Sequence, residues 1–291
     1  MKKIKRRGFI QALPFIAPAI IIIVVVLIYP LLYTFGLSFF DYSIARGLRF
    51  SGLGNYIKII HDDKFITSLI NTLYYTVVVV TVEGTLGFIL ASILNQEFPG
   101  RGLIRGLLMI PMLTSPIVSA ITWRFMYNPD FGIINYLFSL VGLLPQVWTG
   151  DPKTALPSIM IVDIWEFTPF VMLLLLAGLQ SIPQEQYEAA MIDGAGSWAR
   201  TRYITIPWLR PMILVVLLLR TMDSIKIFDQ VYALTAGGPG VSSMTLGVYA
   251  YINGFRNFHL GYAATISWVL ALITIAICAF YIRSIQVPDH A

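Results

Sequence analysis

Residues 185–207 read EQYEAAMIDGAGSWARTRYITIP, and they break the pattern of everything around them. The stretches on either side, 155–180 and 208–233, are apolar over the ~20 residues that a helix needs to cross a bilayer. The segment between them carries three acids, Glu185, Glu188 and Asp193, and two arginines, Arg200 and Arg202. Its local signals are those of a folded element. Pro183 sits in a first turn and Gln184 follows Ser181 at capping-box spacing, which predicts a helix over about 184–193. Gly194 is placed to end that helix, because glycine takes the left-handed C-terminal conformation without a Cβ penalty. A second short turn, SWARTRY, leads to Pro207, which is expected to open the next apolar run. The architecture follows: apolar spans joined by polar connections, one of which is a rigid handle.

Moving outward, charged residues make up 12% of the 291, against about 25% in soluble domains. Six apolar runs qualify as spans, at about 13–38, 69–94, 103–126, 155–180, 208–233 and 260–282. This predicts an all-α integral membrane protein with six transmembrane helices. A basic segment, 1–12, precedes a six-span domain, 13–282, which contains the loop 181–207 and is followed by a tail, 283–291. The first run is too long for the roughly 7–15 residues of a signal peptide's apolar region, so it is expected to remain as a span.

Basic residues set the orientation. With the N-terminus inside, the inner side holds eleven: Lys2, Lys3, Lys5, Arg6, Arg7, Arg101, Arg105, Arg200, Arg202, Arg210 and Arg283. The outer side holds six: Arg46, Arg49, Lys58, Lys64, Lys153 and Arg256. Both termini and the 181–207 loop are therefore expected in the cytoplasm. The net charge of +5 arises from residues that flank apolar runs and is no nucleic-acid signature. The single cysteine, Cys278, excludes an intrachain disulfide. GTLGFILAS, 84–92, puts Gly84, Gly87 and Ala91 near one helix face, a pattern for close helix packing.

Charges within the runs demand an explanation. Asp163 and Glu166 lie in the fourth run. Arg220, Asp223 and Lys226 lie in the fifth, with Asp229 near its end. Each charge at a bilayer centre costs at least about 2.5 kcal/mol, so they should face a cavity or one another. Helical rise brings both sets near the middle of the bilayer. Spacing i, i+3 puts Asp163 with Glu166, and Arg220 with Asp223, on shared faces. Two readings stand side by side. One is an ion-pair network between packed helices. The other is a sugar-binding surface, with carboxylates and Arg bonding neighbouring hydroxyls and Trp165, Phe167 and Phe170 offering flat faces. Glu83, alone in the second run, is read as a bond across a helix or subunit contact and is not assigned to the site.

Other chemistry is unsupported. No Gly-Lys dipeptide occurs, so there is no P-loop lysine and the chain is not an ATPase. Neither H-E-x-x-H nor G-x-S-x-G is present, and His61, His259 and His290 all lie outside the runs.

Glu188-Ala189-Ala190, Gly194 and Ile204-Thr205-Ile206-Pro207 resemble the EAA loop of ABC importer permeases, E-A-A-x3-G-x9-I-x-L-P, with Ile206 in place of Leu. The stretches NTLYYTVVVV, RGLIRGLLMIPMLTSPIVSAITWRFMYNPDFGIIN, DIWEFTPFVMLLLLAGLQSIP and FDQVYALTAGGPG are similar to the carbohydrate-uptake branch of that family. LTAGGPG, 234–240, resembles its maltose- and glycerol-phosphate-type first permease, without that subunit's extra N-terminal helices and large external domain.

The resemblance implies a type I importer fold in a bacterial or archaeal cell membrane. It implies a coupling role for Glu188, Ala189, Ala190, Asp193, Gly194, Ile204 and Pro207, docked in a groove of an ATPase subunit. It implies sugar contacts at Ser119, Asp163, Glu166, Phe167, Phe170, Arg220, Asp223, Ser224 and Ile227. The maltose-type site is neutral and roomier at Phe167, so the sugar's identity stays open. The implied partners are a second permease, two ATPase subunits that bind ATP and Mg, an external sugar-binding protein, the carbohydrate and membrane lipid. No catalytic residue, metal or cofactor is expected in this chain, and no nucleic acid. The competing class is an ion-coupled secondary transporter using the buried carboxylates, which would work alone on an ion gradient.

Overall fold

The computed structural model describes residues 15–43 and 47–286. The expected basic segment 1–12 and the end of the tail lie outside the described residues, as does Arg46. In order, the elements are α1 Phe15–Ser38, β1 Phe40–Ser43, β2 Gly47–Phe50, α2 Gly54–Ile60, α3 Asp63–Leu94, α4 Arg101–Met109 and α5 Pro116–Met126. There follow α6 Ile133–Leu140, α7 Ala155–Gln180, α8 Gln184–Ile192, α9 Ser197–Ile225, α10 Asp229–Leu234, α11 Leu246–Tyr251 and α12 Leu260–Gln286. The spans are helical, as expected for an all-α membrane protein. The antiparallel hairpin β1–β2 is an addition that the sequence did not announce.

Among the described residues, five helices are long and apolar enough to cross a membrane: Phe15–Ser38, Asp63–Leu94, Ala155–Gln180, Ser197–Ile225 and Leu260–Ser284. The expected span 103–126 is not one helix. α4 stops at Met109, Pro111–Leu113 forms a 3₁₀ turn, Thr114 and Ser115 are extended, and Pro116 starts α5. Two prolines explain the break. Each removes a donor from the helical ladder, and a residue before proline is driven out of the α region.

The expected run 208–233 is shifted. α9 begins at Ser197, inside the polar segment, and ends at Ile225. Pro207 does not open it. The helix passes through a wider π turn at Thr201–Thr205 just before that proline. Such local widening accommodates the missing backbone donor. α3 starts six residues ahead of the apolar run because Asp62 caps it, accepting from Lys64 N at 3.0 Å and Phe65 N at 3.3 Å.

The capping box at Ser181 does not form. Its hydroxyl donates back to Gly178 O at 2.7 Å, and Pro183 precedes α8 with no side-chain cap. The other end of α8 follows expectation. Gly194 has φ +80°, Gly194 N donates to Met191 O at 3.1 Å and Ala195 N to Ala190 O at 2.8 Å, a Schellman closure.

The described residues fall into two compact units, one within Met1–His61 and Ala250–Val269, the other within Asp62–Tyr249 and Leu270–Ala291. In the first, Asn55 Nδ2 donates to Ser38 O and Phe40 O at 3.0 and 2.9 Å, tying α2 to the end of α1 and to β1.

The second unit is built on α3, α7 and α9, with a core that includes Ala91, Val171, Met172, Leu175, Leu176, Leu209 and Val216. Close approach depends on glycine. A Cβ on Gly87 would stand 2.5 Å from Val171 Cγ1, and one on Gly178 2.6 Å from Leu209 Cδ2. Gly84 serves α9 instead, with ordinary contact at 3.9 Å to Leu217. The irregular segment after α10 is strapped to α3. Asn71 Nδ2 reaches the carbonyls of Val241, Ser242 and Met244 at 3.1 Å each, and Thr72 Oγ1 accepts from Leu246 N at 2.9 Å.

Candidate functional site

α3, α7 and α9 each bring one ionisable side chain to a common point. Arg220 Nε donates to Glu83 Oε2 at 2.6 Å and Nη2 to Glu83 Oε1 at 2.8 Å, while Nη2 also reaches Asp163 Oδ2 at 3.0 Å. The three are buried, with relative exposures of 2%, 0% and 1%. The Phe167 ring lies over the guanidinium, 4.2 Å from ring centre to Cζ. The fork geometry is that of a charge-assisted, bidentate pair, among the stronger hydrogen-bonding arrangements in proteins.

Glu83, set aside on sequence grounds, is thus the closest partner of Arg220. The available signal was the cost of a lone charge in an apolar run. Which helix it would meet depended on packing.

Beside this cluster opens a cavity of about 380 Å³. Its walls include Asp163, Phe167, Arg220, Asp223 and Ile227, so these five expected positions meet in one place. Pro116, at the broken third run, completes one side, with Lys226, Phe228 and Asp229 beyond it. Arg220 and Asp223 share the cavity side of their helix, as their spacing implies, but hold different partners. Arg220 turns inward to Glu83 and Asp163, while Asp223 pairs with Lys226 at 3.0 Å in an exposed position.

Other expected positions are off the cavity. Glu166 is buried and accepts from Gln230 Nε2 at 2.7 Å. Ser224 donates to Arg220 O at 2.5 Å along its own helix. Ser119 shares a 2.6 Å hydrogen bond with Thr114 Oγ1 across the break before α5. Phe170 packs against the α3–α7–α9 core, and Trp165 meets Trp123 edge to face at 5.6 Å.

The polar segment has different surroundings. Glu188, Ala189, Asp193, Gly194 and Pro207 are exposed, Ala190 is half-buried, and Ile204 packs against the core. Tyr187 Oη and Thr205 Oγ1 are 2.9 Å apart, which pins α8 to the start of α9. Large apolar side chains stand out on this surface: Ile192 at 87%, Trp198 at 75% and Tyr203 at 74% exposure. The polar segment is thus a folded, exposed element joined directly to a helix long and apolar enough to cross a membrane.

Residues 83–289 match the family described as "Binding-protein-dependent transport system inner membrane component". The chain belongs to this family. As a binding-protein-dependent permease it is a multi-pass membrane protein, and the family is one of transport components rather than enzymes. It is 38% identical over 269 residues to the trehalose/maltose transport system permease protein MalF of Thermococcus litoralis, covering 92% of this chain and 91% of that one. It is 36% identical over 285 residues to the lactose transport system permease protein LacF of Rhizobium radiobacter, covering 95% and 94%. The fold is similar to a bacterial alginate ABC transporter solved with an alginate-bound periplasmic protein, at TM-score 0.82 and 23% identity over 96% of this chain and 94% of that one.

Proposed function

We propose that this chain is a permease subunit of an ATP-driven importer of sugar, lining half of the translocation path. The observation that carries the mechanism is the continuity of α9. One helix of 29 residues, about 40 Å long, runs from the exposed loop at Ser197 to the cavity wall at Arg220 and Asp223. Displacement of the loop is displacement of the cavity wall.

In this reading α8 and Gly194 form the coupling element. Ile192, Trp198 and Tyr203 supply apolar surface for an ATPase groove, and the Tyr187–Thr205 bond transmits the push. The loop faces the cytoplasm, as the basic-residue count requires. Two ATPase subunits hold ATP and Mg, a second permease supplies the other half of the path, and an external binding protein delivers the sugar. This chain needs no cofactor and breaks no bond. Asp163, Phe167, Arg220, Asp223 and Ile227 line the route, and the sugar names carried by the relatives support carbohydrate as cargo.

The test is purification of the tagged chain from its native membrane followed by reconstitution. An ATPase should copurify, and uptake into vesicles should require ATP and the binding protein. Sugar uptake by this chain alone on a proton or sodium gradient would establish the ion-coupled alternative instead.

A further inference from the structure

We propose that the inner end of the α3–α9 seam holds an anionic phospholipid, its phosphate between Arg101 and Arg200 and an acyl chain between the two helices. The inference rests on the importer reading for the side of the membrane, since that reading puts the 181–207 loop in the cytoplasm. A cavity of about 900 Å³ is walled there by residues of α3, α4, α7, α8 and α9. Ser92, Asn95, Gln184 and Thr201 stand beside the two arginines. Arg200 Nε is buried and has no hydrogen-bond partner. Arg101 Nη1 donates to Gln96 O over 3.3 Å. Among the described residues, neither arginine pairs with an acid. Glu97, the one acid in this wall, is exposed. A buried guanidinium donor without an acceptor costs free energy until an acceptor arrives. Phosphate oxygens match guanidinium geometry and accept from both side chains.

The second half of the site is apolar. Phe88 stands in the wall of this cavity and also of a groove of about 430 Å³ between α3 and α9. Val80, Gly84, Leu175, Ile206, Ile213 and Leu217 line the groove. The Thr85 hydroxyl is turned to its own helix, donating to Thr81 O at 2.8 Å. From Ile206 to Leu217 the helix rises about 16 Å, against about 15 Å for the hydrocarbon of one leaflet. Spread over that length, the volume gives a cross-section of about 27 Å², a third of that of a helix about 10 Å across. The groove therefore suits a chain of methylenes and not a neighbouring helix. Trp208, half-exposed near the foot of the groove, is of the type that gathers at headgroup level. A polar chamber with free arginine donors, joined to a narrow apolar channel, is complementary to an anionic amphiphile. Basic pockets between membrane helices on the cytoplasmic side take such headgroups. Seated here, the lipid touches Gln184 on α8 and Thr201 on α9 from one side and Ser92 and Asn95 from the other. It props the coupling element against α3, so ATP-driven uptake should depend on it.

The experiment uses the complete importer. The complex is washed in detergent with labelled dioleoyl phosphatidylglycerol, and the lipid retained per complex is counted. The wild type should retain it, and excess inorganic phosphate should not displace it. Arg200→Gln and Arg101→Gln should each lower retention about fivefold, the factor for one basic group at an anionic surface. Gly84→Leu fills the groove with both arginines in place and should lower retention by a similar factor. Uptake is then compared in vesicles of phosphatidylcholine alone and with a quarter phosphatidylglycerol. The anionic vesicles should support faster uptake by the wild type, and the three variants should lose that preference.

Equal retention by the wild type and all three assembled variants overturns the inference. Full retention by Gly84→Leu overturns the acyl groove, and displacement by phosphate shows a small-anion site instead of a lipid site. These readouts need no transport. Absence of an ATPase from the wild-type complex overturns the importer reading separately.

Discussion

Arg220 holds two carboxylates at once, and that asymmetry predicts unequal consequences for its neighbours. Asp163→Asn or Glu83→Gln leaves one carboxylate with one guanidinium, a balanced buried pair. Arg220→Met strands both acids, and an uncompensated buried charge costs about 3–5 kcal/mol. Complex yield should therefore collapse for Arg220→Met and fall much less for either acid variant. Equal yields across the three would show that the cluster does not hold the helices. Asp223 belongs to a different class. Its pair with Lys226 is exposed, and such pairs contribute about 0–1 kcal/mol. Asp223→Asn should assemble at the native level, and uptake per complex should drop or shift in sugar preference. Normal uptake in this variant would remove Asp223 from the path. The ion-pair reading describes Glu83, Asp163 and Arg220 as a unit, and the proposed binding role is left with the faces that Asp163 and Arg220 turn toward the cavity.

At the scale of elements, two glycines carry different burdens. Gly194 at φ +80° has nothing within 4 Å of a hypothetical Cβ, so substitution there is a backbone problem alone. The left-handed conformation costs an ordinary residue about 1–2 kcal/mol, and Asn less. Gly194→Val should insert in the membrane yet lose ATP-driven uptake, while Gly194→Asn should retain most of it. Full uptake by the valine variant would end the coupling role of the α8 closure. Gly87 is a packing position, where a Cβ would meet Val171 Cγ1 at 2.5 Å and the Met172 backbone nitrogen at 3.1 Å. Gly87→Ala should destabilise by about 1–3 kcal/mol, the cost of overpacking. Val171→Ala in the same chain should recover part of that loss of Tm. Additive losses would indicate that the two helices do not meet here.

For the whole molecule, the basic-residue count makes a claim about sides that cysteine labelling can check. In a Cys278→Ser background, single cysteines at His61 and Gln146 should react with an impermeant reagent from outside, and one at Ser197 only from inside. All three positions are exposed. Outside labelling at Ser197 would sink both the topology and the coupling role of the loop.

Some of this protein was set by the chain itself. Apolar length and scarcity of charge make a multi-span helical protein unavoidable, because lipid leaves backbone groups no other partner. The α8 closure was legible for a similar reason: Gly194 and its neighbours form a local motif. The Pro111 and Pro116 break could have been read from the same local rules, but the apolar run masked it.

The site was only half legible. The cost of intramembrane charge pointed to Asp163 and Arg220, and spacing put Arg220 and Asp223 on one face without naming the partner of either. The folded chain pairs Arg220 with Glu83 and Asp163. Helical spacing fixes which side chains share a face, whereas an ion pair between helices depends on which faces meet, and that is set by close approaches such as Gly87 on Val171 and Gly178 on Leu209. The sequence determined that these charges needed partners. Only tertiary packing decided that Glu83 and Asp163 hold Arg220, and that Asp223 with its lysine is left at the cavity wall.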